Sequence, residues 1–324
     1  MSIRITHALA ALTAAAATLA ALPVAAQDYP SKPISLVVPF GPGSGTDQFA
    51  RVLAQALGDD LKVPIVVENK GGAAGFIAAQ YVAKAAPDGY TLLTTTNTTQ
   101  SANEHLFKKL PYDPVKDFAP ITLVSTGQML LLVRPDSPYK TLADLIAAAK
   151  KAPGKLSFGA GYSSSQVASE LLKHMAHVDA LYVPYKSNPL ALTDLIGGQI
   201  DFMFADAPTA LPQVQGGKLR ALAVSGTRRL ASVPELPTVA EAGVKGYDMS
   251  YWFAIYGPAK MPAAVVKRLN EAFGKASESP EVKAFQAKTS GEEALTTPAG
   301  LAQFQAAESK KWGQVIRTAG IQPE

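Results

Sequence analysis

The 324-residue chain contains no cysteine. That one absence excludes disulfides, thiolate metal sites, iron–sulfur clusters and thiol nucleophiles. Charge is also scarce: 17% of residues are charged and the net charge is +4. No run of lysine and arginine and no basic–aromatic stripe occurs, which argues against nucleic acid as a partner. Beyond the first residues no stretch is long and apolar enough to span a bilayer. Only four histidines are present. His174 and His177 stand three apart with no glutamate between them, so the zinc-protease pattern fails and no metal centre is expected.

Apolar residues are plentiful, at 48%, as in a soluble globular protein. The length exceeds what one hydrophobic core usually serves, so two lobes are expected. At the start, Arg4 precedes the apolar stretch "ALAALTAAAATLAAL", and Val24, Ala25 and Ala26 supply small residues. This is the pattern of a secretory signal peptide over 1–26, cleaved near Ala26. The mature chain is then expected in the periplasm. A large core lets an exported protein do without disulfides.

Hydrophobic periodicity switches between 2 and 3.6 along the mature chain. "ISLVVPF", "PIVVENK" and "PDGYTLLTTTN" read as strands, with helices "TDQFARVLAQALGDDL" and "GFIAAQYVAKAA" between them. This is a βαβαβ unit with a parallel sheet. The alternation restarts after "FAPITLVSTGQMLLLVRPDSP", and the segment "DMSYWFAIYGPAK" precedes a helical tail that has no sheet of its own. Such helices must dock on an existing sheet. The expectation is an α/β clamshell: one lobe from 27–127 with 247–324, the other from 128–246, two crossover segments, and a ligand cleft between them.

Two loops carry the chemistry. In "FGPGSGTD", Phe40 to Asp47, Gly41, Gly43 and Gly45 let a ligand approach backbone amides, and the helix that follows presents its free N–H groups and positive dipole end. Anion binding by Phe40, Gly43, Ser44, Gly45, Thr46 and Asp47 follows. The turn lacks the lysine of a P-loop. Thr46 breaks a dinucleotide fingerprint, although Glu68 stands where a ribose-binding acid would. Pro42 breaks a nucleophile elbow. A plain strand–helix turn, capped by Thr46 or Asp47, competes with the anion reading. The second loop, "FGAGYSSSQVASELL", repeats the layout: Gly161, Tyr162, then Ser163, Ser164 and Ser165 as hydroxyl donors and caps at a helix start. One helix N-terminus from each lobe would grip a carboxylate from opposite sides.

Asn97, Tyr185, Asn188 and Asp206 follow strands on the same side. Asn97 reads as a hydrogen-bonding group or as part of a polar strand end. Asp206 accepts from a ligand hydroxyl or amine, or caps the turn before Pro208. Lys186 reads as a surface lysine. Ser137 and Lys140 fit a serine–lysine motif by letter only, because Pro138 breaks its helix. Tyr251, Trp252 and Phe253 read as core. No nucleophile–base pair and no cofactor site emerges, so a binding protein is favoured over an enzyme.

The stretches "YPSKPISLVVPFGPGSGTD", "APDGYTLL", "LPYDPVKDFAPITLV", "VPYKSNPLALTDLIGGQID" and "LRALAVSGTRRLASVPELPTVAEAG" resemble the Bug family. These are solute-binding proteins of tripartite tricarboxylate transporters. The resemblance implies a type II periplasmic binding protein fold, a small carboxylate ligand (aliphatic or aromatic) and no cofactor. It implies a two-component membrane permease as partner and a monomeric receptor. It carries ligand contacts to the Phe40–Asp47 turn and to Gly161, Ser163, Ser164 and Ser165, and extends to Asn97, Tyr185 and Asp206. A periplasmic sensor for a signalling partner and an exported hydrolase are the alternative readings.

Overall fold

The first strand, β1 (Ile34–Val38), is almost wholly buried and runs into the glycine loop. Helix α1 (Gly45–Leu61) follows because Ser44 adopts an extended conformation and accepts a hydrogen bond from the Asp47 amide at 3.2 Å, capping the first turn. Phe49, Leu53, Leu57 and Leu61 recur every four residues and are all buried, which fixes the face α1 turns inward. Lys62, in the left-handed conformation, ends the helix. The computed structural model from which these details come describes residues 29–324. The export segment expected over 1–26 lies outside them.

Strands β2 (Ile65–Asn69) and β3 (Thr91–Thr96) flank β1 in parallel, with α2 (Phe76–Ala83) connecting them. A short helix, α3 (Asn103–Leu106), lies beyond β3. Next comes β4 (Phe118–Val133), sixteen residues long. Helix α4 (Leu142–Lys151), with a Thr141–Asp144 capping box, leads to β5 (Ser157–Ala160) and α5 (Ser163–Ala176). After β6 (Leu181–Pro184) come α6 (Asn188–Ile196), β7 (Met203–Asp206), α7 (Ala207–Gln215) and β8 (Arg220–Val224). The chain returns along β9 (Ser250–Pro258) and finishes with α8 (Ala263–Ser277), α9 (Pro280–Thr289), the two-residue β10 (Glu292–Glu293) and α10 (Pro298–Thr318).

One strand joins the two lobes. The first part of β4 pairs antiparallel with β9, from Phe118 opposite Pro258 to Gln128 opposite Ser250. Its last part pairs with β7 on one side and β8 on the other. The first lobe's sheet runs β2-β1-β3-β9-β4-β10. In the second lobe β5 and β6 are parallel, and Phe158 of β5 bridges to Phe202 just ahead of β7. Along β4, Leu130 and Leu132 enter one apolar cluster while Met129, Leu131 and Val133 enter another, so both faces of the strand are buried. The register shifts between Pro120 and Thr122 and between Leu123 and Ser125, bulges that add local twist.

The crossing point is tied by one serine. Ser225, fully buried, donates its hydroxyl to the Met249 carbonyl at 2.6 Å and accepts from the Met129 amide at 2.9 Å. Its own amide donates to the Met129 carbonyl and its carbonyl accepts from the Met249 amide. The outgoing and returning strands therefore meet at one hydrogen-bonded knot. No helix among the described residues is long and apolar enough to cross a membrane.

Candidate functional site

Because β1 and β3 are parallel, the loops after both open on one edge of the first sheet. In the second lobe, the loops after β5, β6 and β7 likewise share an edge. These edges face each other, the position at which open α/β sheets take ligands.

The first loop is braced by its own side chains. Asp47 accepts from the Gly43 amide at 2.8 Å and from Asn69 Nδ2 at 2.9 Å, and pairs with Arg51. Burial works against its charge, but the hydrogen bonds from Arg51, Gly43 and Asn69 together outweigh it and hold the carboxyl below its ordinary value. Two sequence expectations change here. The capping residue is Ser44, two residues ahead of Thr46 and three ahead of Asp47, and the Asp47 carboxylate is committed to the loop itself. Thr46 is buried in the first turn of α1. The amides of Gly45 and Thr46 face no intrahelical carbonyl, as at any helix start.

The second loop is braced from a distance. The Gly161 amide donates to Asn188 Oδ1 at 2.9 Å, and Asn188 Nδ2 reaches Asp206 Oδ1 at 3.4 Å. Ser165 gives its hydroxyl to the Phe204 carbonyl. Ser163 donates to Asn103 Oδ1 at 2.8 Å. The serines stand inside the helix, at its first three positions, and the cap position belongs to Tyr162, which makes no side-chain cap. Their expected role as caps is thus corrected, and the hydroxyls of Ser163 and Ser165 serve the protein. Ser164 is buried beside them. The Tyr185 hydroxyl turns away to Asp194 Oδ2 at 2.8 Å.

The lobes are closed on each other. The rings of Phe40 and Tyr162, one from each loop, lie 4.2 Å apart between centroids and tilted by 43°. Ser163 and Asn103 bridge the cleft, and Gln48 Nε2 reaches the Pro208 carbonyl at 3.5 Å. The Asp206 carboxylate lies so close to Gly45 that a β-carbon there would collide with it. Only glycine lets the two lobes meet at this point. A cavity of about 500 Å³ adjoins the aromatic pair, between loops of the two lobes. Phe40, Gly161, Tyr162, Ser163 and Tyr185 line it, with Gln166, Tyr182 and Lys186 around them.

A polar cluster surrounds the Tyr162 hydroxyl. Tyr162 is buried, and its hydroxyl comes near Ser44, Gly45 and Asn188 without reaching hydrogen-bond geometry with any of them. Burial, and then the charge of Asp206, push that phenol well above its ordinary value. Asp206 Oδ1 accepts from Asn188 and from Thr209 at 3.1 Å, whereas Oδ2 is buried with no partner. Burial raises the Asp206 carboxyl from 3.8 to about 6, against the pull of those hydrogen bonds and of the nearby Gly45 amide, which does not reach hydrogen-bond geometry. Asn97 Nδ2 is likewise buried and unpartnered, while its Oδ1 accepts from Thr96.

The sequence reading missed the run after β3. "TTTNTTQ", Thr94 to Gln100, reads as a polar strand end or a solvent-facing loop, yet Thr98–Ala102 is a wide helical turn and every residue of it is buried. Gln100 donates to the Pro114 carbonyl, Gln305 to the Gln100 carbonyl, and Tyr112 to the Thr99 carbonyl. Asn103, fully buried, bonds Ala74 and Tyr112 as well as Ser163. The only signal was the density of amide and hydroxyl side chains, a composition equally suited to solvent.

The model of the tripartite tricarboxylate transporter family receptor matches residues 49–321. Among solved structures, R. palustris Rpa4515 with adipate is 33% identical and superposes with a TM-score of 0.89, covering 92% of this chain and 100% of that one. The periplasmic binding protein BugD is 32% identical, with a TM-score of 0.87 and coverage of 91% and 100%. MatC (Rpa3494) from Rhodopseudomonas palustris with bound malate is 33% identical, with a TM-score of 0.83 and coverage of 89% and 100%. The likeness spans both lobes and the crossing strands between them. The chain belongs to the tripartite tricarboxylate transporter receptor family, among the Bug proteins, and is a solute-binding receptor rather than an enzyme.

Proposed function

We propose that this receptor captures a small carboxylate between its lobes in the periplasm and presents it to a two-component membrane permease, after export and cleavage near Ala26. The division into 27–127 with 247–324 and 128–246 is the matching mechanical proposal. One observation carries the reading: helices α1 and α5 direct their N-termini at a closed cleft whose inner wall holds buried, unpartnered polar groups from both lobes. Each such group left unpaired costs about 1–3 kcal/mol, so a ligand that pairs them favours closure. Helix N-termini supply amide donors and a positive dipole end for an anion. Relatives of the same fold hold adipate and malate.

Gly43, Ser44, Gly45 and Thr46 on one side, and Gly161, Ser163 and Ser164 on the other, supply the amide groups in this proposal. Asp47, Ser165 and Asn188 position those loops rather than touch the ligand. Phe40 and Tyr162 close over it, and Tyr185 belongs to the outer rim. The two rings are already in contact, so an aromatic carboxylate has to part them and an aliphatic one does not. A thermal-shift screen of mono-, di- and tricarboxylates, aromatic ones included, tests the reading. A ligand present at a thousand times its dissociation constant adds about 4 kcal/mol to stability and raises Tm by several degrees. A folded protein whose Tm no carboxylate moves would falsify the proposal.

A further inference from the structure

We propose that the segment Ile321–Glu324 is the outer wall of the ligand chamber and sets the length of the solute the receptor accepts. The inference rests on the carboxylate reading above and adds to it a limit on size, placed on residues far in sequence from both glycine loops. Three observations support it. Beyond α10 the chain turns sharply, the Ile321 amide donating to the Ile316 carbonyl at 3.2 Å, and then runs to the stretch after α3. There the Glu324 amide donates to the Leu106 carbonyl at 2.9 Å, and the Glu324 carbonyl accepts from the Lys108 amide at 2.8 Å. Ile321, Gln322 and Glu324 line the cavity of about 500 Å³, to which the second lobe contributes Tyr182, Tyr185 and Lys186. Burial, and then the charges of Glu324 and Glu170, push the Tyr182 phenol up to about 12, so Glu324 stands within electrostatic reach of the second lobe.

The chamber begins at the start of α5. Gly161, Tyr162 and Ser163 line it, so a carboxylate held by amides there projects the rest of the solute into the cavity. Ile321 gives the wall an apolar face packed partly on the core, while Gln322 and Glu324 are exposed. Two main-chain hydrogen bonds tie its far end. Their partners belong to the same short stretch as Asn103, which bridges the cleft to Ser163. One piece of chain therefore carries the cleft bridge, part of the chamber lining and the anchor of the wall. Each methylene of a solute that finds room in the chamber tightens binding about fourfold. One that does not must displace the wall or strain the solute, and the gain reverses.

Calorimetric titration of the mature protein at pH 7.5 with two unbranched series tests this: monocarboxylates from butanoate to decanoate, and α,ω-dicarboxylates from succinate to sebacate. In at least one series affinity should rise with length to an optimum and then fall about tenfold over the next methylenes. Deletion of residues 322–324 removes both tethers and the wall beyond Ile321. It should move the optimum to longer acids while leaving the shortest acids that bind within about threefold of their original affinity. Lys108→Pro removes one tether without altering any residue that lines the cavity, and Phe107 before it is already extended, as a residue preceding proline should be. The optimum should move in the same direction. Affinity independent of length in the unmodified protein overturns the inference. An unmoved optimum in the deletion, or in Lys108→Pro should the deletion not fold, overturns it as well, and so does a uniform weakening of every acid. If neither series binds while the thermal-shift screen finds another carboxylate, the chamber takes no extended chain and this inference falls alone; if no carboxylate binds, the carboxylate reading falls with it.

Discussion

The two glycine loops look alike in sequence and are built in opposite ways. In the first, Ser44, Asp47, Asn69 and Arg51 brace one another within one strand–helix–strand unit. In the second, Gly161 is held by Asn188, Ser165 by the Phe204 carbonyl, and Ser163 by Asn103 of the opposite lobe. One loop carries its own scaffold, while the other exists only once β7, α6 and the far lobe are in place. Their buried carboxylates differ in the same sense. Asp47 is over-provided with donors and its pKa falls, whereas Asp206 is under-provided and its pKa rises.

The largest expected effect tests how tightly each loop is packed. A β-carbon on Gly161 would overlap the backbone of Ser187 and Asn188, whereas one on Gly43 meets open space. Gly161→Ala should therefore cost about 3 kcal/mol in chemical denaturation. Gly43→Ala should cost about 1 kcal/mol, because its φ of +79° lies in the left-handed region. Equal losses would erase the contrast.

The two carboxylates come next. Because the folded-state pKa of Asp206 lies above its ordinary 3.8, the group favours the fold when protonated and opposes it once ionised. Asp206→Asn should then raise stability at pH 7.5 by up to about 3 kcal/mol. The gain should shrink as pH falls through 6 and vanish near 4; a gain independent of pH would show that charge is not its source. Asp47 has the opposite sign: its contribution is present above its ordinary 3.8 and is lost as pH falls below it. Asp47→Ala should cost about 2 kcal/mol at pH 7.5 by leaving Gly43 and Asn69 donors unpaired, with the loss fading in acid. Urea melts of the two variants across pH 4–8 should diverge as pH rises.

The smallest effect concerns closure. Ser163→Ala removes one hydrogen bond that crosses the cleft and should cost about 1 kcal/mol, a shift of roughly fivefold toward open forms. Small-angle scattering of the ligand-free protein should show a larger radius of gyration, with ligand restoring the compact value. An unchanged radius would mean that the aromatic pair and the Gly45–Asp206 contact suffice to hold the lobes together.

The same contrast explains what could be read from the sequence. The alternation of β1, α1, β2, α2 and β3 was legible because each element's apolar period is local, and so was the restart in the second lobe. The first loop was recognisable for the same reason, since its glycines and its helix start are neighbours in the chain. Asn103, Gln100 and the helical turn after β3 were not, because a polar run is buried only when partners as distant as Gln305 satisfy it. The roles of Ser163 and Ser165 depended on Asn103 and Phe204, which sequence spacing does not bring together. The length of β4 was hidden too: its apolar residues suit two separate strands as well as one strand shared by two sheets.

That shared strand governs what the molecule can do mechanically. With β4 running unbroken from one lobe's sheet into the other's, and Ser225 fastening it at Met129 to the returning chain at Met249, the lobes cannot slide past each other without breaking main-chain hydrogen bonds. The soft deformation that remains is torsion and bending of the chain where it passes between the sheets, at Gln128–Met129 going out and Met249–Ser250 coming back. Under the proposed division into two lobes, occupancy of the cleft would be written as an angle between them. The permease proposed above, touching both lobes, would read that angle without ever contacting the solute.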